Sequence, residues 1–238
     1  MCPHDEEQMS TSGFFPDRVA AWREAWSDRR FRFVTVATFA IAAPLLIGKG
    51  RFLRWVEGRD GVVLPDPLLR LFSPVDISEL TFTVTYTMVL ASIAAFSRYP
   101  RRFVLAFQCY LLLCCLRMVM MLLVPFAAPP EQVLLRDPFI EAFVGSSTPL
   151  SRDLFFSGHT STPFVFGFAA PTRRIRVLLF AAAVLAASLV LAQHAHYTID
   201  VVIAPFVAYA AYRLVLGAWG DTESHTAPHR GANVSEER

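Results

Sequence analysis

Six apolar stretches, at residues 33–47, 79–96, 103–126, 155–170, 177–191 and 197–216, alternate with short arginine-rich segments along this chain. A bilayer core of about 30 Å is crossed by roughly 20 apolar residues in a helix, so each stretch reads as a span, flanking residues completing the first, fourth and fifth. In lipid every backbone N–H and C=O must be satisfied within the protein, which makes helices the spanning form for runs of this kind. The composition agrees: 54% of the 238 residues are hydrophobic, 21 are Phe and only 18% are charged, a profile unlike that of a soluble domain. The expected fold is all-α, a polytopic membrane protein with a six-transmembrane-helix bundle.

Three segments follow. Residues 1–32 form an N-terminal cytosolic or interfacial segment, in which Val19, Trp22 and Trp26 recur at helical spacing among arginines, the pattern of an amphipathic helix lying on a membrane surface. Residues 33–217 form the six-span catalytic domain, and residues 218–238 a polar tail expected to be disordered and cytosolic. A net charge of +2 gives no basis for nucleic-acid binding. Cys2, Cys109, Cys114 and Cys115 show no metal-ligand spacing and imply no disulfide framework.

The arginines set the expected orientation. Arg18, Arg23, Arg29, Arg30 and Arg32 precede the first span, Arg98, Arg101 and Arg102 follow the second, and Arg173, Arg174 and Arg176 follow the fourth. Those segments should face the cytoplasm, and six spans then bring both termini inside. The loop after the first span dissents mildly with Lys49, the one lysine of the chain, and Arg51, Arg54, Arg59 and Arg70, but it also carries Glu57, Asp60, Asp66 and Asp76.

On this topology His159, His194, His196 and Asp200 all come to the outer membrane face, where ionisable groups are costly and mark function. His196 and Asp200 are four apart and share a helix face, so the carboxylate can fix the tautomer of the imidazole. Two histidines and one aspartate supply a nucleophile or base, an acid for a leaving oxygen and the group that orients the base, the requirements of metal-free phosphoryl transfer. Arg117 lies inside the third span, about 12 Å below its outer end, where a guanidinium needs an anionic partner or a water-filled cavity. A phosphodiester would serve.

The run Asp153-Leu-Phe-Phe-Ser-Gly-His159-Thr, followed after a span by His194-Ala-His196-Tyr-Thr-Ile-Asp200-Val, resembles the two catalytic motifs of the sphingomyelin synthase family, within the wider type 2 phosphatidic acid phosphatase superfamily. Leu64-Pro65-Asp66 resembles that family's Leu-Pro-Asp motif, and Arg117, in a Tyr- and Leu-rich span ending in Pro125, resembles its second motif. The resemblance covers about residues 62 to 217 and departs from the family in the outer loop 127–150. Val190 stands six residues before His196, where the phosphatase branch usually has Arg, which tilts the resemblance toward the synthase branch.

The resemblance implies that His196, held by Asp200, attacks the phosphorus of a glycerophospholipid, that His159 protonates the departing diacylglycerol oxygen, and that the head group passes to ceramide or a diacylglycerol-type acceptor. Ser157 and Gly158 open a helix, so their amides can meet phosphate oxygens, and Arg117 would neutralise the phosphoryl charge. Asp153 is either at the cavity entrance or an N-cap of the following helix. Asp66 either serves the substrate site or shapes a turn, and His194, two residues from His196, would face away from it on a helix. No cofactor and no metal are expected, although a zinc site from His159, His194 and His196 is the alternative to weigh. Hydrolysis by water at the same site, as a lipid phosphatase or phospholipase C-type phosphodiesterase, and a catalytically dead lipid scaffold are the other readings.

Overall fold

The structure, a computed structural model, describes residues 18–136 and 151–223. The start of the N-terminal segment, most of the divergent outer loop and the tail beyond residue 223 lie outside the described residues. Seven α-helices appear among the described residues: α1 (Arg18–Ser27), α2 (Arg29–Glu57), α3 (Ser78–Phe96), α4 (Pro100–Leu123), α5 (Gly158–Ala169), α6 (Arg173–Ala192) and α7 (Thr198–Glu223). A 3₁₀ turn, Leu69–Leu71, interrupts the loop after α2, and no strand occurs among the described residues.

Local chemistry fixes the helix ends. The Asp28 carboxylate accepts the Arg30 N–H at 2.9 Å to cap α2, and the Thr172 hydroxyl accepts the Ile175 N–H at 3.3 Å to cap α6. Pro100 occupies the first turn of α4, where its missing N–H costs nothing. The last helix runs through Leu216 to Glu223, so the region expected to be disordered from residue 218 begins as a continuation of α7.

Five helices, α2, α3, α4, α6 and α7, are long and apolar enough to cross a membrane. The fourth expected span is instead α5, with 12 residues, which reaches only about 18 Å at 1.5 Å per residue. This corrects the expectation of six full-length spans. The cause lies in where α5 begins: its first residue, Gly158, abuts Arg117, which is six residues before the end of α4 and so roughly 9 Å below it. Segment 151–157 therefore dips into the bundle as irregular backbone before the helix starts. Such backbone is tolerated at membrane depth only when protein groups satisfy it.

The chief core lies around this short helix, where Val165 and Ala169 of α5 pack among Phe96 of α3, Leu105, Cys109 and Leu113 of α4, and Ala208 and Ala211 of α7. Small residues allow the close approach, as in other membrane bundles. A Cβ at Gly167 would overlap the Phe180 ring of α6. At one end of the bundle α1 docks through Trp22, whose indole donates to the Ser97 carbonyl at 2.7 Å and meets Phe103 edge-on, while Val19 and Trp26 stay exposed.

The opposite end gathers the loops that carry the motifs. Val62 N–H donates to the Pro125 carbonyl at 2.8 Å, Val75 N–H to Ala192 at 3.0 Å, and the Glu57 carboxylate accepts the backbone N–H groups of Ser151 and Arg152 and the Ser151 hydroxyl.

Candidate active site

His196 precedes the first turn of α7 and Asp200 lies within it. The Nδ1 of His196 is 3.2 Å from Asp200 Oδ2, and both side chains are buried, with 4% and 0% of their surface exposed. Asp200 Oδ2 also accepts the Tyr197 N–H at 3.2 Å. An imidazole that donates Nδ1–H to a carboxylate presents its other nitrogen, Nε2, as a lone-pair donor. The buried pair at i, i+4 thus has the geometry in which a carboxylate fixes the tautomer of an imidazole.

His159, in the first turn of α5, faces His196 across the junction of the two helices, with ring centroids 6.4 Å apart. Phe82 of α3 packs edge-on against His159 at 5.8 Å. The two motifs are joined directly, since Ser157 N–H donates to the Asp200 carbonyl at 3.1 Å. That bond uses the amide expected to meet phosphate, and the Ser157 hydroxyl accepts the Thr160 N–H as the N-cap of α5. Ser157 thus couples the two motifs and caps the helix, and of the pair Ser157 and Gly158 it is the glycine that lines the cavity.

Arg117 binds the re-entrant segment. Its Nη1 donates to the Phe156 carbonyl at 2.6 Å, its Nη2 to the Asp153 carbonyl at 2.8 Å, and its Nε to Asp153 Oδ1 at 3.1 Å. The anion that a buried guanidinium requires is thus supplied by Asp153, which settles its two expected placements: it pairs with Arg117 at the cavity and does not cap α5. Phe155 and Phe156 adopt left-handed φ values of 59° and 34°, costly for residues with a Cβ. The Phe156 carbonyl bond to Arg117 and the Phe155 ring against Phe126 at 5.3 Å hold them there.

A Cβ at Gly158 would lie 2.5 Å from Arg117 Nη1, so only glycine leaves room for the guanidinium. From this point a cavity of about 430 Å³ extends between α2, α3, α4 and α5. Lys49, Arg117, Asp153, Gly158 and His159 line one end, and Val89, Ile93, Phe103, Phe107 and Phe166 line the remainder. Larger hollows occur near α1 and Trp219, but His159 lines neither of them.

Asp66 lies outside this cavity. Its carboxylate accepts the Thr198 N–H at 2.6 Å and the Thr198 hydroxyl at 2.9 Å, and also the N–H groups of Leu68 and Leu69. Burial pushes the Asp66 carboxyl up, yet these bonds outweigh it and hold the group below its ordinary value. Asp66 therefore shapes a turn and caps α7 across the loop. His194, with φ 50°, packs edge-on against Phe72 at 5.2 Å and lines a separate outer groove. His159, His194 and His196 are thus not gathered around one point, and the zinc alternative loses its third ligand.

Sequence reasoning missed three supports. Lys49 reaches the cavity from α2, Glu57 anchors the loop that precedes Asp153, and Tyr197 is buried with its hydroxyl donating to the Ala127 carbonyl at 3.0 Å. The lysine's uniqueness in the chain was the one available signal.

The five long apolar helices make this an integral membrane protein. No curated protein matches the chain. Residues 152–216, which carry Asp153, Ser157, Gly158, His159, His194, His196 and Asp200, match the family model described as PAP2 superfamily C-terminal.

Proposed function

We propose that this protein is a lipid phospho-head-group transferase, moving a phosphoalcohol from a glycerophospholipid to ceramide or another lipid alcohol. The observation that carries the reading is the polarity of the cavity. Its cationic end is lined by His159, whose ring centroid is 6.4 Å from that of His196, and its apolar remainder follows α3 and α4 down to Ile93 and Phe103, matching a lipid with its phosphate at the His159 end.

His196 Nε2 attacks phosphorus, the bond from phosphorus to the diacylglycerol oxygen breaks, and His159 gives that oxygen its proton. The head group is then held on His196. The acceptor hydroxyl loses its proton to His159 and attacks phosphorus, breaking the bond to nitrogen and restoring both histidines. Arg117 offsets the charge that develops on the phosphoryl oxygens, and Asp200 stabilises the charged imidazole.

An apolar channel beside the phosphate end favours a lipid acceptor over water, since it holds a second chain-bearing alcohol as readily as the first. The site is proposed to open to the extracytoplasmic or lumenal leaflet, with both termini cytoplasmic, on the strength of the arginine distribution. Purified protein incubated with labelled glycerophospholipid and each acceptor tests the reading. Diacylglycerol and a new head-grouped lipid in equal amounts support it, whereas release of free phosphate or phosphoalcohol assigns the site to a phosphatase or phospholipase C.

A further inference from the structure

At the polar end of the cavity the charges do not balance. Arg117 is paired with Asp153, while Lys49, half-buried on α2, has no hydrogen bond or ion pair with the described residues. Lys49 lies eight residues before the end of α2, about 12 Å, and Arg117 lies about 9 Å from the end of α4, so two helices that pack together bring both cations to a similar depth. The histidines aside, Lys49, Arg117 and Asp153 carry one net positive charge, the complement of a single phosphodiester.

Of the other carboxylates of this end, Asp60, Glu79 and Glu131 do not line the cavity, and four more are engaged. Glu57 holds Ser151 and Arg152, Asp66 holds Thr198, Asp76 holds Ser78, and Asp200 holds His196. Among the described residues no unpaired carboxylate lines the cavity to receive an ammonium head. An aromatic cage is the other way to bind a quaternary ammonium. Here Phe103, Phe107 and Tyr110 lie one or more helical turns deeper than Arg117, on the side of the acyl chains. A lysine ammonium, by contrast, is a compact charge with three donors, suited to phosphate oxygens and to hydroxyl groups together.

We infer that Lys49 makes this site select phospholipids with an uncharged polyol head group, such as glycerol or inositol phosphodiesters, over those headed by choline or ethanolamine. The inference rests on the proposed lipid-binding function and names the substrate class of that site.

Binding without turnover separates the two. The full-length His196→Ala protein, in detergent micelles, is titrated with phosphatidylglycerol or phosphatidylcholine of identical acyl chains, each competing with a fluorescent short-chain phosphatidylglycerol. The glycerol-headed lipid should bind at least about tenfold more tightly. Lys49→Gln should reduce the ratio to within about threefold and Lys49→Glu should bring it below one, while Arg102→Gln, at the other end of the bundle, should leave it unchanged. A wild-type ratio within about twofold, or a ratio that survives Lys49→Gln, overturns the inference. Discrimination without head-group transfer by the wild-type protein would sink the proposed function and leave the selectivity standing, and transfer of choline heads as fast as glycerol heads would do the reverse.

Discussion

Asp66, in the loop after α2, receives the backbone N–H and the hydroxyl of Thr198 at 2.6 and 2.9 Å, so a residue 132 positions upstream caps the helix that bears Asp200. Asp66→Ala should cost about 1 kcal/mol of stability, up to about 2, as other N-cap losses do. It should also lower activity, because α7 sets the spacing of Asp200 from His196. Thermal unfolding and lipid turnover of the purified variant measure both effects, and an unchanged melting temperature would remove the capping role.

The same carboxylate carries a pH signature. Its value in the folded protein is lowered, so its contribution to stability is present above the ordinary carboxylate value of 3.8 and is lost as pH falls through the lower folded value. Between neutral pH and about pH 3 the wild-type melting temperature should therefore fall further than that of Asp66→Asn. Equal falls would contradict the assignment.

His196→Ala and His159→Ala should each reduce turnover by at least about a thousandfold with normal expression and melting temperature, and Asp200→Asn should keep a trace because it retains shape while losing charge. Near wild-type activity in His159→Ala would eliminate it as the acid.

Gly158→Ala places a methyl group 2.5 Å from Arg117 Nη1 and must displace the guanidinium or the start of α5. Turnover should drop by about tenfold or more through loss of oriented positive charge. Full activity in this variant would show that the guanidinium has room to shift without consequence. A chelator, in contrast, should leave activity intact, and loss that zinc restores would revive a metal site.

Sidedness can be read with cysteine labelling on a background free of Cys2, Cys109, Cys114 and Cys115. Ser73→Cys, at the catalytic end, should react with an impermeant thiol reagent from outside, and Arg174→Cys, before α6, should not. The reverse pattern would put catalysis on the cytoplasmic face.

The helical bundle was legible because apolar run length and arginine spacing are properties of the chain itself. The pairing of His196 with Asp200 was legible too, since a separation of four residues is a local geometric fact. Contacts between distant segments left no such trace. That Asp153 is the partner of Arg117, 36 residues away, depends on the dip of segment 151–157, and so does the short length of α5. Ser157 was misjudged for the same reason: its amide is free in an isolated motif and occupied once Asp200 is brought beside it.

The dip of segment 151–157 gives Arg117 a task that water performs elsewhere in proteins. The carbonyl group of Phe156 is buried and that of Asp153 partly so, and the guanidinium serves both as a hydration shell. A positive charge is accordingly built into the empty protein, rigid before any lipid arrives, and a phosphate that reaches Gly158 meets a field whose organisation was completed during folding.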